Sequence, residues 1–123
     1  MQITIDIPDE RVAQLFQTVA ESRDPVTRGW LDNMQLIAGR SAKARWWEDE
    51  TLFCNTGLQI VVVEQDDETK KRHLIGLRKI RVGLTKMATR YPYIFEQVIK
   101  DNIDQSCADI FLQCVVFGEE KYA

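Results

Sequence analysis

Leu58-Gln59-Ile60-Val61-Val62-Val63-Glu64, then the polar Gln65-Asp66-Asp67-Glu68-Thr69, then Lys70-Lys71-Arg72-His73-Leu74-Ile75, is the stretch that decides the fold. The first run is rich in β-branched residues, whose side chains suit a pleated, half-buried surface. The polar run is a turn, and Lys70 to Ile75 returns as the partner strand of a hairpin. Directly behind it, Leu77, Ile80, Leu84, Met87 and Tyr91 recur at alternating spacings of three and four. That repeat predicts a long amphipathic helix from about Leu77 to Arg90, which Pro92 stops or passes to the next turn.

Outward from this unit the pattern continues in both directions. Downstream, Tyr93, Ile94, Phe95, Val98 and Ile99 predict a short helix. Asp104 or Ser106 then caps a last helix bearing Cys107, Ile110, Phe111, Cys114 and Val115, with Gly118 as its stop. Upstream, Ile3, Ile5 and Ile7 alternate with polar residues as in a strand with one buried face. Pro8 suits a first helical turn, and Val12, Leu15, Phe16, Val19 and Ala20 form an apolar stripe ending near Ser22. Residues 24–57 carry no clear period. Trp30, Leu31, Met34, Leu36 and Ile37 read as a short second helix, and of the adjacent Trp46 and Trp47 one should be core and the other more exposed. The expected architecture is α+β: a small antiparallel sheet, made of the N-terminal strand and the central hairpin, packed against four or five helices.

A chain of 123 residues, 45% hydrophobic and 28% charged, is long enough for one domain, 1–123, with a core that needs neither disulfide nor metal. The three cysteines, Cys54, Cys107 and Cys114, read as free thiols. Cys107 and Cys114 stand two turns apart on a helix, roughly 10 Å, too far to bridge. With His73 the lone histidine, a zinc set is not expected. The N-terminus lacks a basic segment followed by an apolar one, and the apolar runs are too short to span a bilayer, so a cytoplasmic location in a bacterial host cell is expected, with no membrane partner. No cofactor is expected.

The most informative feature is the distribution of charge. Between Thr69 and Pro92 stand Lys70, Lys71, Arg72, Arg78, Lys79, Arg81, Lys86 and Arg90 with no acid, while the chain as a whole is −3. The remainder therefore carries −11, the difference between −3 and +8. A basic stripe on an acidic body can hold an anion, a nucleotide or an acidic protein surface, and the arginine fork suits phosphate. The same charges can equally be a solvated helix face beside neighbouring acids. On a helix Lys79, Lys86 and Arg90 share one face, and Arg78 and Arg81 another. The candidate ligand-binding set is Lys79, Lys86 and Arg90, with Arg78 beside them, Arg72 reaching from the hairpin, and Trp30 or Trp47 supplying an apolar wall; core packing is the plainer reading of the tryptophans.

Other candidates are weaker. Glu48-Asp49-Glu50 reads as a solvated acidic turn, and Asp66-Asp67-Glu68 lacks the spacing of a calcium loop. His73 is a lone histidine on an edge strand and reads as a structural residue rather than a general base. No nucleophile elbow, phosphate-binding glycine loop or dinucleotide fingerprint is present, so no catalytic residue is assigned.

The C-terminal half carries two blocks: Gly83-Leu84-Thr85-Lys86-Met87-Ala88 with Tyr91-Pro92 and Phe95, and Asp109-Ile110-Phe111-Leu112-Gln113-Cys114 with Phe117-Gly118-Glu119 and Tyr122. Together they resemble a family of small, uncharacterised phage- and prophage-encoded proteins ending in a D-x-F-L-Q…F-G-E…Y tail. The likeness is specific after about Leu74; the middle, Asp24 to Asn55, departs from it, and Ala123 stands where the family often has glycine. It implies origin rather than mechanism and assigns no catalytic residues. Physically the tail reads as the fold's closing helix, with Asp109 and Gln113 free to pair with a basic residue of the long helix or to cap a loop.

The expected function is that of a non-enzymatic, phage-encoded counter-defence protein. It would sequester an anionic nucleotide signal or block a host defence protein through the basic face. A nucleic-acid-binding regulator and a virion structural or assembly accessory are the alternatives, with an enzyme of unfamiliar type behind them. An isoelectric point near 5.2 argues against a dedicated duplex-DNA binder. A homo-oligomer, a dimer, is expected because the two apolar helices offer more surface than so small a domain is expected to cover.

Overall fold

The computed structural model describes residues 7–39, 41, 43–66 and 68–123. Helix α1 (Asp9–Ala20) is followed by α2 (Pro25–Trp30), β1 (Leu31–Ala38), two 3-10 turns (Trp46–Glu48 and Glu50–Cys54), β2 (Gln59–Asp66), β3 (Thr69–Ile75), α3 (Leu77–Arg90), α4 (Pro92–Ile99) and α5 (Gln105–Phe117). The fold is α+β: among the described residues, a three-stranded antiparallel sheet in the order β1-β2-β3 and five α-helices. The hairpin and the long helix lie where the sequence pattern placed them. So does the last helix, whose N-cap Asp104 accepts a 2.7 Å hydrogen bond from the Cys107 amide and whose stop Gly118 is left-handed at φ 81°.

The strand expected near residues 2–6 lies outside the described residues. The segment read as a second helix, Trp30 to Ile37, instead divides. Asp24 caps α2 by accepting from the Val26 amide at 2.9 Å, Pro25 opens it, and it ends at Trp30. Leu31–Ala38 then runs antiparallel to β2, pairing Met34 with Val62 and Leu36 with Ile60. Met34 and Leu36 are good helix formers, but their side chains meet the core only if the backbone is extended here. Strand pairing overrides local propensity.

Alternation gives the sheet two unlike faces. Ile60 and Val62 of β2 and Ile75 of β3 point into the core with Met34 and Leu36 beside them. Val61 and Val63 point the other way, opposite Gln35 and Asn33 on β1 and Leu74 and Arg72 on β3. Val61 is only 5% exposed yet takes no part in the core; its cross-strand neighbours cover it.

The core forms around α5. Every residue from Cys107 to Val116 is buried, because α1, α3, α4 and β3 all pack on this one helix. Phe111 meets Phe16 of α1 edge-on at 5.4 Å, and Phe16 stacks on Phe53 at 5.2 Å. Trp46 is in this core against Phe16 while Trp47 stays half-buried, so the adjacent tryptophans do divide, although in a 3-10 turn rather than an extended segment. Asp49 is not solvated: it is buried, and it accepts from the amide and hydroxyl of Thr51. The apolar stripe of α3 (Leu77, Ile80, Leu84, Met87), which suggested a dimer, is covered by the chain itself, chiefly α5.

Gly83 lets α3 approach α5. A Cβ there would stand 2.6 Å from the Cα of Val115 and 2.8 Å from its amide nitrogen, and backbone atoms cannot rotate aside. On an open helix face Gly→Ala gains about 1 kcal/mol; here Gly83→Ala should instead cost about 2 kcal/mol or more by overpacking, read as a lower urea midpoint. The thiols offer a second check. Burial pushes Cys107 up to about 12 and Cys114 up to about 11, whereas Cys54 is exposed. One equivalent of thiol reagent should react with the folded protein, at Cys54, and the other two only on unfolding; mass spectrometry after timed labelling reads this directly.

Candidate functional site

A helix buried on all sides must satisfy its polar residues internally. On α5 these are Asp109 and Gln113, 4% and 0% exposed. Asp109 accepts from the Thr27 hydroxyl at 2.8 Å, the Trp30 indole at 2.9 Å and the Gln113 amide at 2.7 Å. Gln113 reaches the segment after the helix: its Oε1 accepts from the Lys121 and Tyr122 amides at 2.8 Å each, and its Nε2 donates to the Tyr122 carbonyl at 3.0 Å. The two residues pair with each other, with α2 and with the tail, and not with the basic residues of α3.

The tail is fastened at its other end by Glu64. This carboxylate is 1% exposed, at an inward position of β2. It accepts from Lys121 Nζ at 2.6 Å, from the Tyr122 hydroxyl, and from His73 Nε2 at 2.9 Å. Tyr122 stacks on Trp30 with rings 5.8 Å apart and nearly parallel, Phe117 lies edge-on to Trp30 and to His73, and Lys121 stands over the Phe117 ring at 5.0 Å. Burial alone would raise the Glu64 pKa, but the hydrogen bonds from Lys121, Tyr122 and His73 outweigh it and hold the carboxyl at about 2. Both oxygens are occupied and shielded from water, which is the arrangement of a clamp. Nearly every residue of the tail motif has a structural task. Phe111 is core, Gly118 turns the chain, Glu119 pairs with Arg90 at 3.2 Å, and the Tyr91 hydroxyl accepts from the Glu120 amide at 2.9 Å.

The structure distributes the candidate binding residues over separate places. Trp30 cannot wall a surface site: it is 1% exposed, with its indole N–H on Asp109. Trp47 lies elsewhere, beside Arg28 and Asp32 in a small cleft of about 130 Å³. Lys86 and Arg90 face the C-terminal end of α5: a Cβ on Gly118 would stand 2.9 Å from Lys86 Nζ, and Arg90 holds Glu119. Cations there complement the negative end of the helix dipole. Lys79, half-buried, belongs to the same row. Arg72, expected to join this row, points to the open side of the sheet with Leu74.

The other face of α3 is different. Arg78 and Arg81, with Leu74, Leu77 and Val82, line an open cleft of about 630 Å³ where the start of α3 meets the hairpin. Among the described residues, no acid lines it. Among the described residues, Arg72, Arg78 and Arg81 make no ion pair, whereas Lys70, Arg90 and Lys121 all do. The first turn of α3 contains no acid and Gly76 provides no side-chain cap, so its amide N–H groups add positive potential.

Comparison with known proteins gives no match: no family model, no curated protein and no solved structure matches the chain. Among the described residues, no helix is long and apolar enough to cross a membrane, and no three His, Cys, Asp or Glu side chains are grouped to hold a metal ion.

The Glu64 clamp sets an acid limb on stability. Its carboxyl is depressed from the ordinary 4.5 to about 2, so its contribution is complete above about 4.5 and is lost as pH falls through 2. At full strength such a shift corresponds to roughly 3 kcal/mol. Urea midpoints measured from neutral to strongly acidic pH should fall across that window. Glu64→Gln should flatten the fall while lowering stability at neutral pH, and Tyr122→Phe should lower neutral stability by about 1–3 kcal/mol.

Proposed function

We propose that this chain is a non-enzymatic binding protein, of phage origin and acting against host defence, that engages an anionic partner at the Arg78–Arg81 cleft. The observation that carries the reading is Arg78 and Arg81, which among the described residues make no ion pair and line a cleft with no acid. Leaving arginines unpaired around a concavity maintains a positive potential that an anion can use. The clamped tail supports the binding reading from the other side. The residues with the strongest chemical character, Glu64, His73, Asp109 and Tyr122, hold the fold together. The likeness of the tail to phage-encoded proteins supplies the biological setting, and the acidic isoelectric point favours a local anion site over duplex DNA. The partner is then a nucleotide signal or an acidic surface of a host defence protein.

Calorimetric titration with a cyclic dinucleotide, an ADP-ribose-type ligand and duplex DNA tests the nucleotide arm. Arg78→Gln with Arg81→Gln should weaken ligand binding about tenfold or more, whereas Lys79→Gln with Lys86→Gln should change it little. Nucleotide binding should also depend less steeply on salt than duplex binding would, because few phosphates are neutralised. Equal behaviour of wild type and the arginine variant toward every ligand would make this face a solvated surface.

A further inference from the structure

The cleft does not end at its arginines. Leu74 and Val82, which line it, are 53% and 46% exposed, and Leu74 continues onto the open face of the sheet beside Val61. Across β2 this surface reaches β1, where Ile37, at the bulge between Leu36 and Ala38, is 51% exposed. Three of the five large apolar side chains most exposed among the described residues therefore lie on this one side of the molecule. A nucleotide in the cleft would leave the sheet portion bare.

Building on the reading that the Arg78–Arg81 cleft is the binding site, we infer that its occupant is an acidic protein segment. Apolar side chains of that segment would cover Leu74 and Val82 while its carboxylates meet Arg72, Arg78 and Arg81. Charge complementarity selects this occupant. A second copy docking by the same face would set these arginines against themselves across the two-fold axis, and Asp32, on the same side of the sheet, is already paired with Lys70. Apolar contact ringed by arginine is the composition of an interface centre, where arginine is enriched and lysine depleted. Among the described residues β3 is an edge strand, and Lys70, Lys71 and Arg72 along it discourage pairing with another copy of the same strand and favour an acidic one.

The probe is a synthetic peptide of alternating glutamate and valine, added to isotope-labelled protein and followed by amide NMR shifts, with polyglutamate and a cyclic dinucleotide in parallel. The glutamate–valine peptide should shift the amides of β3 and the first turn of α3 and bind more tightly than polyglutamate. Arg78→Gln with Arg81→Gln, and separately Leu74→Ser with Val82→Ser, should each weaken it about tenfold or more. Both side chains of the second pair are half exposed, so the fold should persist, and the unfolding midpoint verifies it. If the serine variant binds the peptide as wild type does, the apolar face is not used and the inference fails. If the peptide does not bind but the dinucleotide does, in an arginine-dependent way, the inference fails while the broader anion-binding reading stands. If neither binds, both fail. A dimer in sedimentation that the serine variant dissociates would make a second copy the occupant and overturn the inference as well.

Discussion

The interaction on which this structure depends is the internal satisfaction of α5. On a helix enclosed by α1, α3, α4 and β3, the polar side chains of Asp109 and Gln113 are only 4% and 0% exposed. An unpaired buried polar group costs about 1–3 kcal/mol and an unpaired charge more. The fold meets that cost by bringing α2 to Asp109, through Thr27 and Trp30, and by drawing the chain after Gly118 back over the helix to Gln113. Once the tail lies there, Tyr122 and Lys121 reach Glu64, which could not otherwise remain ionised at an inward position of the sheet. One chain of hydrogen bonds thus joins the central helix, the sheet, α2 and the C-terminal tail.

Much of this was legible in the sequence because it depends on local pattern. The β2–β3 hairpin, the 3-4 repeat of α3, Asp104 as cap and Gly118 as stop are signals that act within a few residues. Leu31–Ala38 was not legible, since its extended form comes from β2 lying beside it, and nothing local distinguishes it from a short helix. Glu64 was half legible: it continues the inward row of Ile60 and Val62, and a carboxylate at a core position requires donors from elsewhere. Those donors, Lys121 and Tyr122, are distant in sequence, and no spacing rule connects them to it. Asp109 and Gln113 stood out at a one-turn spacing, but only the arrangement of α2 and the tail around them reveals their partners.

The basic run from Thr69 to Pro92 shows why a charge count cannot locate a site. Read along the sequence, its eight cations form one stripe. Wound into a strand and a helix, they point in different directions and meet different surroundings. Lys86 and Arg90 lie at the end of α5, where a cation is favourable for reasons internal to the fold. Arg72, Arg78 and Arg81 look outward on the opposite flank of α3 and the open face of the sheet, where the described structure offers them no counter-charge. The helical spacing had separated Lys79, Lys86 and Arg90 from Arg78 and Arg81 correctly. What it could not supply was which row the neighbouring helix covers, and that is decided by Gly83, which seats α3 on α5 and so turns the lysine row toward the closing turn.

The two sides of the sheet therefore follow opposite rules. On the inner side both oxygens of Glu64 and both ends of the Gln113 amide are paired. On the outer side Leu74 and Val82 stand in water, and among the described residues Arg72, Arg78 and Arg81 make no ion pair. Folding cannot account for the second arrangement, because Leu74 and Val82 at roughly half exposure contribute little to the core and the arginines gain nothing from one another. Each outer-face feature taken singly is ordinary for a protein surface. Their coincidence on one concave flank, at the acid-free start of a helix, is what an anionic partner with apolar side chains would complement. The inner clamp allows it, since a sheet held rigid from behind can present that flank without rearranging.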